Sequence, residues 1–579
     1  MGHDALSPYA VLMQANIKKQ PFPRRTKMPH PLFEKHQTLL QQAVAAIEAR
    51  GYWSPYAENP RVYGDTAIED GRQAFAAYRG AQFYLDQPGV IARGGAEVSP
   101  YGLPLDISYP RCSSDALIAA AKSAMPAWIK AGPDTRAGVC AEILARLNAR
   151  SFEMAHAVMH TTGQALMMAF QAAGPHAQDR GLEAVAYAWR EMKQVPETAL
   201  WEKPQGKNPP LKMEKKFTVV PRGVALVIAC STFPTWNGYP GIFASLVTGN
   251  PVIVKAHPTV ILPLAISVAV ARQVLKEAGF DPNLVSLLVD DAAAPVAKDV
   301  ALNPEVRLID YTGGPDFGNW LEEHCRHAMV YTEKAGVNCI VVDSIDDYPA
   351  MLKNLAFTLS LYSGQMCTTP QTIFVSREGV KIPDGVVSAE QFGRDLANAV
   401  SQFLENPARA VEILGAIQSP ATLARLEAAH ELGEVLRASG AVAHPQWPEA
   451  RVRSPLILRV EASDERAYME ERFGPITLVV ETATTAQSLA TAERVIREQG
   501  AITFAVYSTN PLIVEHAEEA ALRVGVALSI NLTGGVFVNQ SAGFSDFHAT
   551  GANPAANACL TDSAFVASRF FVVQSRRHV

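Results

Sequence analysis

From residue 219 onward, short uninterrupted apolar runs alternate with helical stretches. Residues 224–230, 252–254, 284–289 and 306–309 read as strands, and 238–248, 262–278 and 292–302 read as the helices between them. Strands that are apolar on both faces belong in a parallel sheet with helices covering each side. A second alternating region spans about 337–540, with strands expected at 338–342, 372–375, 476–480 and 501–507. The chain is therefore expected to be an α/β protein. Upstream, apolar residues recur three and four apart, as with Val139, Cys140, Ile143, Leu144 and Leu147, and predict helices across 114–192. The Pro- and Lys-rich run 202–216 breaks that pattern and reads as an exposed hairpin or linker. Residues 1–95 combine Pro, aromatics and cations with little periodicity. They read as an irregular extension holding one helix near 31–50 and another around 70–78.

Composition excludes several classes. Lys and Arg number 51 against 57 Asp and Glu, a net charge of −6, so no strongly basic surface invites nucleic acid or anionic lipid. Seven cysteines without a C-x-x-C pair argue against a disulfide framework or zinc ribbon, and point to a reducing compartment. The apolar stretch 258–271 is shorter than the roughly 20 residues of a membrane span. No secretory core opens the sequence, so the expectation is a soluble cytoplasmic protein. In that compartment the triplets beginning at Asn531 and Asn539 would not be glycosylated.

Neither G-x-G-x-x-G nor a P-loop motif occurs. Tyr311-Thr312-Gly313-Gly314-Pro315-Asp316-Phe317-Gly318 follows a predicted strand, and its glycines would permit close approach of a phosphate to a helix N-terminus. Such turns are also commonly structural. Cys367 stands in Ser363-Gly364-Gln365-Met366-Cys367-Thr368, a polar turn expected to lead into a helix, where a thiolate is stabilised. Glu333 closes a strand-like run, and its plain alternative is a surface pair with Lys334. Asn237 follows the predicted strand 224–230 and is either a cap or a donor to a developing oxyanion. Glu153-x-x-His156 and Glu427-x-x-His430 are half-motifs of a carboxylate-bridged di-metal bundle, but the strand–helix alternation between them argues against it. His160 and the His324-Cys325-Arg326-His327 cluster are further ligand types. No metal site is expected.

Taken jointly, these segments resemble the aldehyde dehydrogenase superfamily. Residues 227–237, the Val252-Ile253-Val254-Lys255 run, 311–318, 333–338, 364–367 and Glu471-Arg472-Phe473-Gly474-Pro475 occur in that family's order, and Glu333 precedes Cys367 by 34 residues as in the family. The resemblance covers about 100–576. Gly51-Tyr52-Trp53-Ser54-Pro55-Tyr56, His160-Thr161-Thr162-Gly163-Gln164 and Gly174-Pro175-His176-Ala177-Gln178-Asp179-Arg180 are similar to the PaaN-like subgroup of phenylacetate-degradation proteins. The implied architecture is an N-terminal extension (1–95), a doubly wound nicotinamide cofactor-binding domain (96–201 and 217–335), an α/β catalytic domain (336–545) and an oligomerisation element (202–216 and 560–579).

The resemblance also implies roles. Cys367 would attack an aldehyde as a thiolate, and Asn237 with the Cys367 backbone N–H would hold the oxyanion, each donor contributing about 3–4 kcal/mol. Hydride would leave for the nicotinamide, and Glu333 would activate the water that hydrolyses the thioester to an acid. Lys255 and Glu471 would bind ribose hydroxyls, Phe473 would face the nicotinamide, and the turn of Gly313, Gly314 and Gly318 would approach the pyrophosphate. Two departures stand out. Pro258 sits where many NAD-preferring relatives carry a glutamate, so a 2′-phosphate meets no repulsion there and His257 is a candidate partner. NADP is therefore expected over NAD. Lys334 follows Glu333 directly and would hold it ionised or turn it away. The subgroup implies a CoA-linked, ring-opened semialdehyde of the 3-oxo-5,6-dehydrosuberyl-CoA type as substrate. It also implies a separate ring-opening hydrolase as pathway partner, and a homo-oligomer, dimer or tetramer.

Four other readings compete. A CoA-acylating dehydrogenase would show CoA-dependent product formation, and a semialdehyde dehydrogenase of the benzoyl-CoA route would differ in substrate chain length. A non-catalytic protein on the same fold would leave Cys367 inert to alkylation. A carboxylate-bridged metal enzyme would lose activity with its metal.

Overall fold

In the computed structural model, residues 30–334 and 336–579 are described; residues 1–29 of the expected extension lie outside them. The apolar runs form two sheets. The first has five parallel strands in the order Val285–Leu288, Val252–Lys255, Val224–Ile228, Val306–Gly313, Met329–Lys334. Strand order therefore reverses between Val224–Ile228 and Val306–Gly313, which opens a crevice beyond their carboxyl ends. Every residue of Val224–Ile228 and Val252–Lys255 is buried, as strands covered on both faces require.

The second sheet has seven strands in the order Glu434–Arg437, Leu456–Glu461, Ile476–Thr482, Thr372–Ser376, Cys339–Val342, Thr503–Tyr507, Ala527–Ile530. Only the Glu434–Arg437 edge strand runs antiparallel. The predicted strands all appear, displaced by a few residues at their ends. The fold is thus α/β with a doubly wound sheet beside a second α/β sheet.

The helical region is continuous from Ser114–Ala131 to Pro175–Lys193. In the described part of the expected extension both expected helices form, joined by irregular segments. Pro31–Ala49 and Ala67–Ala76 are helices, and Phe33, Leu40, Ala43 and Phe75 join the same core as Leu144, Val185 and Phe243. Prolines and aromatics in this stretch mask a periodicity that packing then enforces. The run 202–216 lies in a hairpin, Thr198–Gln205 and Asn208–Pro221, whose long strand pairs antiparallel with Phe570–His578. The three strands form a separate sheet, ordered Phe570–His578, Asn208–Pro221, Thr198–Gln205.

The C-terminal segment is anchored at its root. Arg569, with none of its surface exposed, places Nη1 2.8 Å and Nη2 2.5 Å from the two carboxylate oxygens of Asp310, and Nη1 also reaches Ser245. This bidentate pair ties the start of the last strand to Val306–Gly313, next to the edge of the five-stranded sheet.

Candidate active site

A cleft of about 960 Å³ opens at the reversal of strand order, between the two sheets. It collects nearly everything the sequence singled out. Asn237, Glu333 and Cys367 line it, and so do Lys255, His257, Gly313, Gly314, Glu471 and Phe473. Gly318 does not. It sits on the helix Pro315–His324 against Lys334, where a Cβ would fall 2.6 Å from Lys334 Cγ, so it is a packing glycine.

Three elements bring the reacting groups together. Asn237 lies in the first turn of the helix Pro234–Thr248, which follows the central strand Val224–Ile228. Glu333 is the penultimate residue of the edge strand Met329–Lys334. Cys367 lies in a turn that runs into the strand Thr372–Ser376, and not into a helix as expected. Burial pushes the thiol well above its usual range, and the nearby Glu333 carboxylate, Cys230 and Glu471 push it further.

The turn is held under strain. Tyr362 (φ 52°) and Ser363 (φ 49°) are left-handed non-glycine residues, followed by Gly364 (φ 66°). Left-handed backbone costs a side-chain-bearing residue about 1–3 kcal/mol, and the surroundings must fix it. Tyr362 Oη donates to Thr162 O at 2.5 Å, and Ser363 Oγ contacts the carbonyls of Leu414 and Arg453. Asn338 completes the clamp. Its Nδ2 donates to Cys367 O (2.7 Å) and Thr369 O, while its Oδ1 accepts from the backbone of Ile502 and Thr503.

Around Glu333 the network differs from expectation. Lys334 does not pair with it; the lysine turns to Asn319 (2.8 Å) and Glu322 (3.0 Å) on the neighbouring helix. Adjacent residues of a strand point to opposite faces, so Lys334 never faced the same side. Asn237 Nδ2 donates to Glu333 Oε2 at 2.9 Å, and Glu333 Oε1 lies 3.0 Å from His548 Nε2. The same imidazole nitrogen is 3.8 Å from Cys367 Sγ. Burial acts to raise the Glu333 carboxyl. The charge and hydrogen bond of His548, with the Cys367 and Asn237 donors, outweigh it and hold the carboxyl below its usual value.

His548 was missed by sequence reasoning. It sits in the glycine- and serine-rich stretch after residue 540, which has no periodicity, and its nearness to Cys367 arises only from the tertiary fold. Of the helical His residues singled out as ligand types, His156 stacks on Phe75 with its Nε2 buried and unpartnered. His160 bonds Ser99 and stacks on Phe75, and Glu153 pairs with Arg150 and Tyr78.

At the other end of the cleft, Lys255 Nζ pairs with Asp290 at 2.7 Å, both nearly buried. Asp290 follows the neighbouring strand Val285–Leu288 and was not identified from sequence. His257 bonds Thr259 Oγ1, and burial with the nearby Lys255 charge pushes its pKa down to about 4, so it is neutral at pH 7. Glu471 keeps Oε1 buried without a partner, and burial pushes its carboxyl up to about 8. Such an orphaned acceptor is what a ribose hydroxyl would satisfy. Gly313 tolerates no side chain because a Cβ would fall 2.4 Å from Tyr311 Oη, while Gly314 opens freely into the cleft.

The sequence model of the aldehyde dehydrogenase family matches residues 110–545, about three-quarters of the chain. The chain belongs to the aldehyde dehydrogenase family. It is an oxidoreductase of the aldehyde group that depends on a nicotinamide cofactor. A solved structure described as an NAD-dependent aldehyde dehydrogenase from Burkholderia multivorans is 58% identical, covers 95% of this chain and 100% of that one, and superposes with a TM-score of 0.94. A Thermus 1-pyrroline-5-carboxylate dehydrogenase with bound NAD shares the fold at 18% identity, with a TM-score of 0.71 and coverage of 91% and 99%. The vanillin dehydrogenase of Pseudomonas fluorescens is 27% identical over 381 residues, 63% of this aldehyde dehydrogenase and 72% of that protein.

Proposed function

We propose that this aldehyde dehydrogenase oxidises its substrate to a carboxylic acid while the substrate is bound to Cys367. The observation that carries the reading is the convergence of Cys367, Glu333 and Asn237 at the mouth of the cofactor-sized cleft. Cys367 Sγ adds to the aldehyde carbon, and the carbonyl oxygen becomes an oxyanion. Among the described residues no acceptor takes the Cys367 backbone N–H, which is free to donate to that oxygen beside the Asn237 amide. The nicotinamide ring, when bound, supplies the two-electron acceptor. Glu333, ionised at neutral pH and set opposite Cys367, serves the later hydrolysis of the acyl group from sulfur.

The residues fit a dinucleotide: Lys255 and the orphaned Glu471 Oε1 would hold ribose hydroxyls, Gly313 and Gly314 the pyrophosphate, and Phe473 the nicotinamide side. NAD is the cofactor we propose. Pro258 leaves no carboxylate at its own position, yet Asp290 supplies one beside Lys255, and His257 carries no charge for a 2′-phosphate. The name of the 58% identical relative agrees. For the substrate we propose a CoA-linked, ring-opened semialdehyde of aerobic phenylacetate breakdown. The support is the sequence likeness of residues 51–56, 160–164 and 174–180 to the PaaN-like subgroup.

The test follows nicotinamide reduction with a CoA-linked semialdehyde and its CoA-free counterpart, offering NAD and NADP separately, with Cys367→Ala as control. Reduction with NAD that the substitution abolishes and that needs the CoA arm is the expected result. Equal rates without CoA would overturn the substrate class, and activity in Cys367→Ala would overturn the nucleophile.

A further inference from the structure

His548 is, among the described residues, the imidazole that reaches both Cys367 and Glu333. Its Nε2 lies 3.8 Å from Cys367 Sγ and 3.0 Å from Glu333 Oε1, and only 1% of the side chain's surface is exposed. We propose that His548 accepts the Cys367 thiol proton and that Glu333 anchors the imidazolium so formed. This rests on Cys367 being the nucleophile.

The physical problem is one of charge. A buried thiol beside an ionised carboxylate resists losing its proton, because a thiolate there would stand next to a second negative charge. A cation placed between the two anions removes that obstacle. In the transfer the Cys367 S–H bond breaks, its electron pair stays on sulfur, and the proton forms an N–H bond at Nε2. The accepting form is the neutral tautomer with its proton on the unpartnered Nδ1, which forgoes the Nε2–Glu333 hydrogen bond; taking up the thiol proton restores that bond and the imidazolium charge that holds Glu333 low. The new Nε2–H then donates to Glu333 Oε1, whose sister oxygen is already held by Asn237. Sulfur, imidazole and carboxylate together keep one net negative charge instead of two.

The surroundings show that His548 is placed, and not merely near. Trp236 packs edge-on against its ring at 4.7 Å, and Arg180 stacks over Trp236. Arg180 also donates to Ser541 Oγ (2.6 Å) and to the Asp546 carbonyl. Phe544 meets Trp53 edge-on, Arg50 lies 3.7 Å from the Phe547 ring centroid, and Leu560 N donates to His548 O. The groups that face the imidazole are therefore Cys367, Glu333 and neutral Trp236; Cys230 and Glu471 act on Cys367 from farther off. Trp53 and Arg180 belong to two of the stretches that resemble the PaaN-like subgroup, so those stretches brace the loop that carries His548.

The test is the pH dependence of Cys367 alkylation by iodoacetamide, with the labelled residue identified by mass spectrometry, in wild type and in His548→Gln. Cofactor binding serves as the check on folding. The proposal expects wild-type alkylation to reach half its maximum below about pH 8, under the ordinary thiol value of about 8.5. It expects His548→Gln to react at least tenfold more slowly at pH 7, with its half-maximum moved up. A wild-type half-maximum above about pH 9, or equal rates at pH 7 in the folded variant, would overturn it. The wild-type profile decides alone if the variant does not fold. Failure here leaves the Cys367→Ala result standing, so the two readings fall separately.

Discussion

Glu471 holds its proton up to about pH 8 because its carboxyl is buried with one oxygen unpartnered. Hydroxyl donors favour the charged form, so cofactor binding at pH 7 should release a proton from this group. Calorimetry in buffers of different ionisation enthalpy should show that release, and Glu471→Gln should lose it. In the free enzyme the sign is opposite to that of a salt-bridged acid. The folded value lies above the unfolded one, so this carboxyl lowers stability as pH rises from about 4.5 to about 8. Asp290 invites a second substitution. Asp290→Asn should raise kcat/KM for NADP relative to NAD by roughly tenfold, about 1.4 kcal/mol of relieved repulsion. Cys367, Glu333 and Asn237 were legible because each lies in or near a segment that the family's order marks. His548 and Asp290 were not, because they gain meaning from neighbours some 180 and 35 residues away that only folding brings close.

At the scale of elements, the buried strands announced themselves through uninterrupted apolar runs, and the doubly wound sheet followed. The turn before Thr372–Ser376 did not. Glycine, serine and threonine there suit a helix start as well as the left-handed bend that forms, and only contacts with Thr162, Leu414 and Arg453 select the bend. Gly364 is its least replaceable member, since a Cβ would fall 2.3 Å from Gly474 O and φ is 66°. Gly364→Ala should cost about 1–3 kcal/mol in urea denaturation and lower kcat, because the displaced turn carries Cys367.

The whole molecule carries an outlying sheet whose apolar side chains are uncovered. Trp201, Leu211, Phe571 and Val573 are all exposed on it. A surface of this kind calls for a second subunit. Light scattering should give a mass of two or four chains, and Phe571→Asp with Val573→Asp should lower it. The sheet's root is the Arg569–Asp310 pair. Arg569→Met would leave Asp310 buried and uncompensated, an expected loss of about 3–5 kcal/mol measurable in urea denaturation. That pair also sets a clock on biosynthesis. Asp310 is made 259 residues before its cation, so its carboxylate on the strand beside the sheet's edge lacks Arg569 while nearly half the chain is still being translated. A nascent chain halted short of residue 569 keeps Asp310 without the guanidinium that offsets its burial.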